Sequence, residues 1–190
     1  MRPCVTLFAN PVRRGRLTAR RGNSPLTNKN NPRMPYVELH CHSNFSFLDG
    51  ASDPEDLIIR ARALGYPALA ITDHSGLYAI VRFCQAAKEN DIKPIVGAEI
   101  TLDTGGHLVL LARDNHGYGN LSHLLATAQL QSKKGEARVT RETLASYHDG
   151  LIALSGCPLG EIPQALRRQD RTGAAHLASE YRELFGADNF

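Results

Sequence analysis

The stretch ALAITDHSGLYAIVRFCQAAKENDIKPIVGAEI, residues 68–100, decides the fold class. Ala68–Thr72 is a short apolar run of the kind that makes a buried strand. Tyr78–Asn90 carries apolar residues at helical spacing, which predicts Ile80, Val81, Cys84 and Ala87 on the inward face. Pro94–Ile100 then reads as a second strand. Strand, helix and strand in that order predict parallel strands wrapped by helices.

The same alternation runs outward on both sides. Upstream, Tyr36–His40 alternates and predicts a strand. Ser52-Asp53-Pro54-Glu55 predicts a helix start, with a Ser/Asp cap, Pro in the first turn and Glu three residues after Ser52. Leu57, Ile58, Ala61 and Leu64 fall on one face of that helix, and Gly65 ends it. Downstream, His107–Ala112 and Leu151–Leu154 predict strands. Gly119–Gln131, Arg141–Tyr147, Leu159–Arg168 and Gly173–Phe185 predict helices. The five strands suit an α/β barrel or a doubly wound sheet, and are fewer than a closed eight-stranded barrel needs. The sequence stops just after a helix, where a further strand is expected. It therefore reads as a piece of a longer protein, and an unfinished barrel with an open strand edge is expected to be marginally stable.

Composition narrows the function classes. The 190 residues have room for one domain, or one domain plus a tail. No run of 18 apolar residues occurs and the mean hydropathy is −0.29, which excludes a membrane helix. Cys4, Cys41, Cys84 and Cys157 lie far apart, a poor disulfide framework that suits a reducing cytosol. Charge is divided unevenly. Residues 1–34 hold eight Lys/Arg and no acid, whereas the other 156 residues hold 14 basic and 19 acidic groups, a net of −5. Residues 1–34 have too little apolar surface to fold and are expected to be a disordered basic extension ahead of a domain at 35–190. An Arg-rich leader of this kind reads as a transit peptide, a nucleic-acid-binding arm, or an upstream extension without function.

Functional side chains of parallel α/β folds sit at the carboxyl ends of strands. Read in order, the strands give His40 and His42 after the first with Asp49 in the following loop, Asp73 and His74 after the second, Glu99 near the end of the third, His107 opening the fourth and Cys157 following the fifth. All are types that ligate Zn²⁺, Mn²⁺ or Fe²⁺. His40 and His42 are two apart, so on an extended chain both imidazoles project to one face. Asp49 precedes Gly50 in a turn and can swing back over the strand end. Glu99 can bridge two cations. Such a cluster activates water and holds a leaving oxygen, which points to phosphoester hydrolysis. Asp73 is expected to cap the next helix or to orient His74. Cys41 and Cys84 are read as structural, and His116, His123, His148 and His176 as surface residues.

The phrases VELHCHSNFSFLDGA (37–51), ALAITDHSGLYAIVRFCQAAKENDIKPIVGAEI (68–100), HLVLLARDNHGYGNL (107–121) and LIALSGCPLGEI (151–162) resemble the polymerase and histidinol phosphatase (PHP) domain. More narrowly they resemble its form at the N-terminus of bacterial C-family DNA polymerases, the replicative DNA polymerase III alpha subunit and its error-prone relative. The resemblance implies a (β/α)7 barrel, here incomplete, with parallel strands, outer helices and a centre for up to three divalent metals. It implies metal ligands at His40, His42, Asp49, His74, Glu99, His107 and Cys157. The family's last motif, an Asp-x-His after a later strand, has no matching position, so the resemblance implies that two ligands and the polymerase palm lie outside this sequence and that the fragment alone is inactive. It further implies 3′–5′ exonuclease or phosphatase chemistry in the longer polymerase. The implied partners are DNA through that polymerase, its other domains in cis, and replication or mutagenesis accessory proteins. A standalone histidinol-phosphatase-like enzyme and a metal-free scaffold are the alternatives.

Overall fold

A computed structural model of the chain describes residues 36–190. The expected basic extension, residues 1–34, lies outside the described residues. In chain order the elements are α1 (Pro54–Leu64), β1 (Ala68–Ile71), α2 (Ile80–Glu89), β2 (Lys93–Thr101), β3 (His107–Ala112), α3 (Asn115–Gln131), α4 (Arg141–Ser146), β4 (Leu151–Leu154), α5 (Glu161–Arg167) and α6 (Arg171–Phe185). The fold is α/β, with one four-stranded sheet in the order β1-β2-β3-β4.

The sheet is mixed, and this corrects the all-parallel expectation. β1 and β2 are parallel, but β3 runs antiparallel to both β2 and β4. The cause is the link between β2 and β3. Only residues 102–106 join them, and a parallel crossover needs about a dozen residues or more. Leu102 N donates to Gly106 O at 2.8 Å, closing a tight turn in which Gly105 takes φ +85°. The reversal brings the start of β3 to the end of the sheet where β1, β2 and β4 finish.

Alternation along the strands separates two faces. Ala98, Ile100, Leu108, Leu110, Leu151 and Ala153 pack against Leu121, Leu124, Leu144, Tyr181 and Phe185 of α3, α4 and α6. Leu69 and Ile71 pack against Leu57 and Ile58 of α1 and Phe83 and Ala87 of α2. The opposite face gathers Ala70, Val109 and Leu111 with Ile95, Ile152 and Leu154, a cluster without a helix residue. Glu99 is paired with Val109 and stands on that same face.

Three local expectations shift. Tyr36–His40 is not a full strand: Glu38 makes one parallel bridge to Leu69. The carbonyls of Glu38 and Cys41 accept from Ala70 N and Thr72 N, so three steps of one segment oppose two of the other, as in a bulge. His40 N turns instead to the Glu38 carboxylate. In α2 the buried face is Phe83, Ala86 and Ala87, while Val81 is 79% exposed. Phe83 fills the gap beside α1 and sets the rotation of the helix, which carries Val81 outward. Asp53 does occupy the cap position of α1, but its side chain accepts from Asn44 Nδ2 at 2.6 Å and not from the helix backbone.

The carboxyl-terminal helices are tied by Glu161. Its carboxylate accepts from Thr104 Oγ1 at 2.6 Å and from Arg141 and the Tyr181 hydroxyl. Arg141 also lies over the Tyr181 ring at 4.6 Å. One side chain therefore joins the β2–β3 turn, α4, α5 and α6. Glu161→Ala is expected to cost about 2–3 kcal/mol, since it strands three donors of which Arg141 keeps some access to water. That predicts a fall in Tm of about 5–10 °C by thermal denaturation, with Tyr181→Phe costing about 1 kcal/mol.

Candidate metal centre

The carboxyl ends of β1 and β2, the start of β3 and the loop after β4 meet at one place. Glu99 stands at its centre, 1% exposed. His40 Nε2 lies 2.5 Å from Glu99 Oε2, and His107 Nδ1 lies 2.5 Å from Oε1. His74 Nδ1 is 3.3 Å from Oε1, and His42 Nε2 is 3.8 Å from Oε2. Asp49 Oδ2 sits between His42 Nδ1 at 3.0 Å and His74 Nε2 at 2.9 Å. His40 Nε2 and His42 Nε2 are 3.1 Å apart.

These donors form three overlapping groups: His40, His42 and Glu99; His42, Asp49 and His74; and His74, Glu99 and His107. Cys157 is outside all three. Its Sγ is 3.5 Å from His107 Nδ1 and accepts from Leu159 N. His107 reaches the cluster because β3 is reversed; as the first residue of a parallel strand it would sit at the opposite end of the sheet.

The chemistry of the donor set fits divalent cations. Both Glu99 oxygens are buried, and among the described residues neither has a hydrogen-bond donor in line with it, despite two imidazole nitrogens at 2.5 Å. Nitrogens that close without hydrogen-bond direction suit lone pairs converging on shared positive charge. The facing Nε2 atoms of His40 and His42 likewise need a proton or a cation between them. The electrostatics agree. Burial works to raise the Glu99 carboxyl, but His107, His40 and His74 outweigh it and hold it well below the usual carboxylate range. Burial also disfavours the Asp49 anion, yet His74 and His42 lower its pKa overall. Burial, then the neighbouring His74, pushes His42 down toward the neutral form that ligates metal. Cys157 and Glu99 raise His107 to about 9.

Asp73 departs from its expected contacts. It neither caps a helix nor bonds the His74 ring. Buried at 3% exposure, it accepts from Ser43 N at 2.7 Å, Ser43 Oγ at 2.7 Å and Ser46 Oγ at 2.6 Å. Ser46 Oγ in turn accepts from His74 N at 3.1 Å. Ser43 and Ser46 are thus positioning residues that the strand-end rule does not find, and no spacing pattern marks them. Gly50 completes the loop. A Cβ there would lie 1.9 Å from Ser43 O. Gly50→Ala is expected to displace Asp49 and weaken Mn²⁺ binding roughly tenfold or more, read by isothermal titration calorimetry.

Among the residues read as structural, Cys41 is buried, which pushes its thiol up to about 12. His116 is paired with Asp149, and Asp114 caps α3 through Gly117 N. The Asp-x-His at 114–116 therefore lies past the far end of β3, away from the cluster.

The PHP domain description matches residues 38–190. The chain belongs to the PHP domain family. The error-prone DNA polymerase of Symbiobacterium thermophilum is 44% identical over 168 residues, covering 80% of this chain and 16% of that protein. The error-prone DNA polymerase of Mycolicibacterium paratuberculosis is 40% identical over 189 residues, covering 93% and 17%. DNA polymerase III subunit alpha of Treponema pallidum is 38% identical over 172 residues, covering 83% and 15%. The chain thus spans about a sixth of the length of these curated relatives. Among solved structures, an amidohydrolase from Chromobacterium violaceum with bound sulfate is 31% identical, with a TM-score of 0.42 over 50% of this chain and 33% of that one. A two-domain protein from Bacteroides vulgatus containing a predicted PHP-like metal-dependent phosphoesterase gives 20% identity and a TM-score of 0.39 over 60% and 41%. At these scores neither likeness bears on function.

Proposed function

We propose that this PHP domain holds divalent cations (Zn, Mn or Fe, up to three in the complete domain) and serves phosphoester hydrolysis of the 3′–5′ exonuclease type within a bacterial error-prone DNA polymerase. The observation that carries the reading is the buried Glu99 carboxylate, approached by four histidines with no hydrogen bond in line. His40, His42, Asp49, His74, Glu99 and His107 would hold the cations, with Cys157 beside His107. Bound divalent cations supply an activated water and offset charge on the phosphoryl oxygens. The chain's own residues orient the donors: Asp49 fixes the rings of His42 and His74, and Asp73 fixes the loop that carries Asp49.

Nucleotidyl transfer belongs to other parts of such a polymerase, in cis with this domain, and DNA and accessory proteins for replication or translesion repair are met there. The 190 residues by themselves are expected to bind metal without turnover. The setting is the cytoplasm; among the described residues no helix is long and apolar enough to cross a membrane.

His42 belongs to two donor groups and makes the sharpest test. In the longer polymerase, His42→Ala is expected to abolish Mn²⁺-stimulated cleavage of a single-stranded oligonucleotide while primer extension continues. In the 190-residue chain it is expected to lower the metal retained after gel filtration. Cleavage at the parental rate by the variant defeats the reading.

A further inference from the structure

Residues 35–190 carry a net charge of −5, so a phosphate strand meets repulsion over much of this domain. One segment beside the metal centre has the opposite sign. On one edge of β2, Glu99 O accepts from Ser75 N at 2.8 Å, and the next carbonyl on that edge, Thr101 O, accepts from Val139 N at 2.9 Å. Successive carbonyls on a strand edge are about 7 Å apart. The segment ending at Val139 therefore takes up the edge where the His74–Ser75 segment leaves it. Its other end is held at the same place: Gln129 Nε2, near the end of α3, donates to Ser75 O at 2.9 Å. The segment closes on itself through Arg138 N to Ser132 Oγ at 3.1 Å and Glu136 N to Lys133 O at 2.9 Å, with Gly135 at φ +82°. It is an anchored turn next to His74.

That turn carries Lys133, Lys134 and Arg138, all exposed, against the single acid Glu136. Among the described residues none of the three cations makes an ion pair, and the masked residues 1–35 contain no acid to supply one. By contrast Arg82, Arg113 and Arg141 all face carboxylates. Unpaired cations at a fixed place beside the recessed His/Asp/Glu cluster form an electrostatic approach for a polyanion. Glu99 and His42 are nearly fully buried, so the end of a single strand reaches them more readily than a duplex does.

We propose that residues 132–138 contact the phosphodiester backbone of single-stranded nucleic acid, with Lys133, Lys134 and Arg138 drawing the strand toward the donors around Glu99. The role in delivery rests on the phosphoesterase reading, but the contact is tested without it. A fluorescein-labelled oligothymidylate is titrated with the 190-residue chain in EDTA, where divalent metal ions cannot contribute and no metal-dependent cleavage occurs. Lys133→Ala, Lys134→Ala and Arg138→Ala together are expected to weaken binding about tenfold or more and to make the plot of log affinity against log salt shallower by about 2. The control replaces three other exposed cations, Arg60, Arg168 and Arg171, with Ala. Both variants keep residues 1–34 and lose the same charge, so the control is expected to stay within about threefold of the parent. Equal weakening in both variants, or none in the first, overturns the proposal. Loss of cleavage in the metal-ligand variants with strand binding intact bears only on the phosphoesterase reading.

Discussion

Glu99→Gln is expected to strip the domain of bound metal. The carboxylate belongs to two of the three donor groups, one with His40 and His42 and one with His74 and His107. Gln keeps the shape but loses the charge, and it places an amide where two imidazole nitrogens approach at 2.5 Å. Losing a residue that merely supports a ligand weakens metal binding by about 10- to 100-fold. Losing a shared charged donor is expected to exceed that range, by roughly 100-fold or more in Mn²⁺ affinity. Titration calorimetry reads the affinity, and elemental analysis after gel filtration reads the stoichiometry. Far-UV circular dichroism checks that the fold survives. A folded Glu99→Gln domain with the parental metal content sinks the metal centre itself. The Asp49→Asn variant separates the outcomes: Asp49 belongs to one group only, so partial loss is expected.

The sites on β1 and β2 were legible because parallel strands obey a simple rule. An apolar run followed by Asp73-His74, and another ending near Glu99, place their polar residues at the same end of a sheet. His107 lies beside Glu99 for a reason other than the strand-end rule. It opens its strand, and in an all-parallel sheet the opening residue belongs at the far end. Asp103-Thr104-Gly105-Gly106 was the sign of a tight reversal between two strands. The reversal of β3 brings His107 at its start beside Glu99, whereas Cys157 after β4 falls beside His107 by the strand-end rule itself. The rotation of α2 was not legible in the same way. Ile80, Val81, Cys84 and Ala87 form as good a stripe by period as Phe83, Ala86 and Ala87. What decides between them is the space left by Leu57 and Ile58 of α1, a tertiary fact. The role of Asp73 was hidden for a related reason. Its partners, Ser43 and Ser46, are about thirty residues away in sequence and carry no spacing signal.

Asp73 is expected to be the costliest position outside the metal donors. Its carboxylate is buried, and three donors from the Ser43–Ser46 segment converge on it. Removing it leaves a backbone N–H and two hydroxyls buried without their acceptor. Each unmet buried donor costs about 1–3 kcal/mol, less whatever the hydroxyls recover by rotating. Asp73→Ala is therefore expected to lose about 3–5 kcal/mol, read as a drop in the midpoint of urea unfolding. Asp73→Asn keeps one acceptor oxygen, and the serine hydroxyls can turn to accept from its amide, so about half that loss is expected. The metal readout adds what stability cannot. The 43–50 loop carries Asp49, and Ser46 Oγ fixes the His74 amide. Loosening both acts on the His42, Asp49 and His74 group and spares His40 with Glu99. In Asp73→Asn, measured where the domain is still fully folded, one Mn²⁺ is expected to weaken while binding through Glu99 persists. Uniform weakening of all bound metal in that variant contradicts a role in holding the loop and leaves Asp73 a residue of general stability.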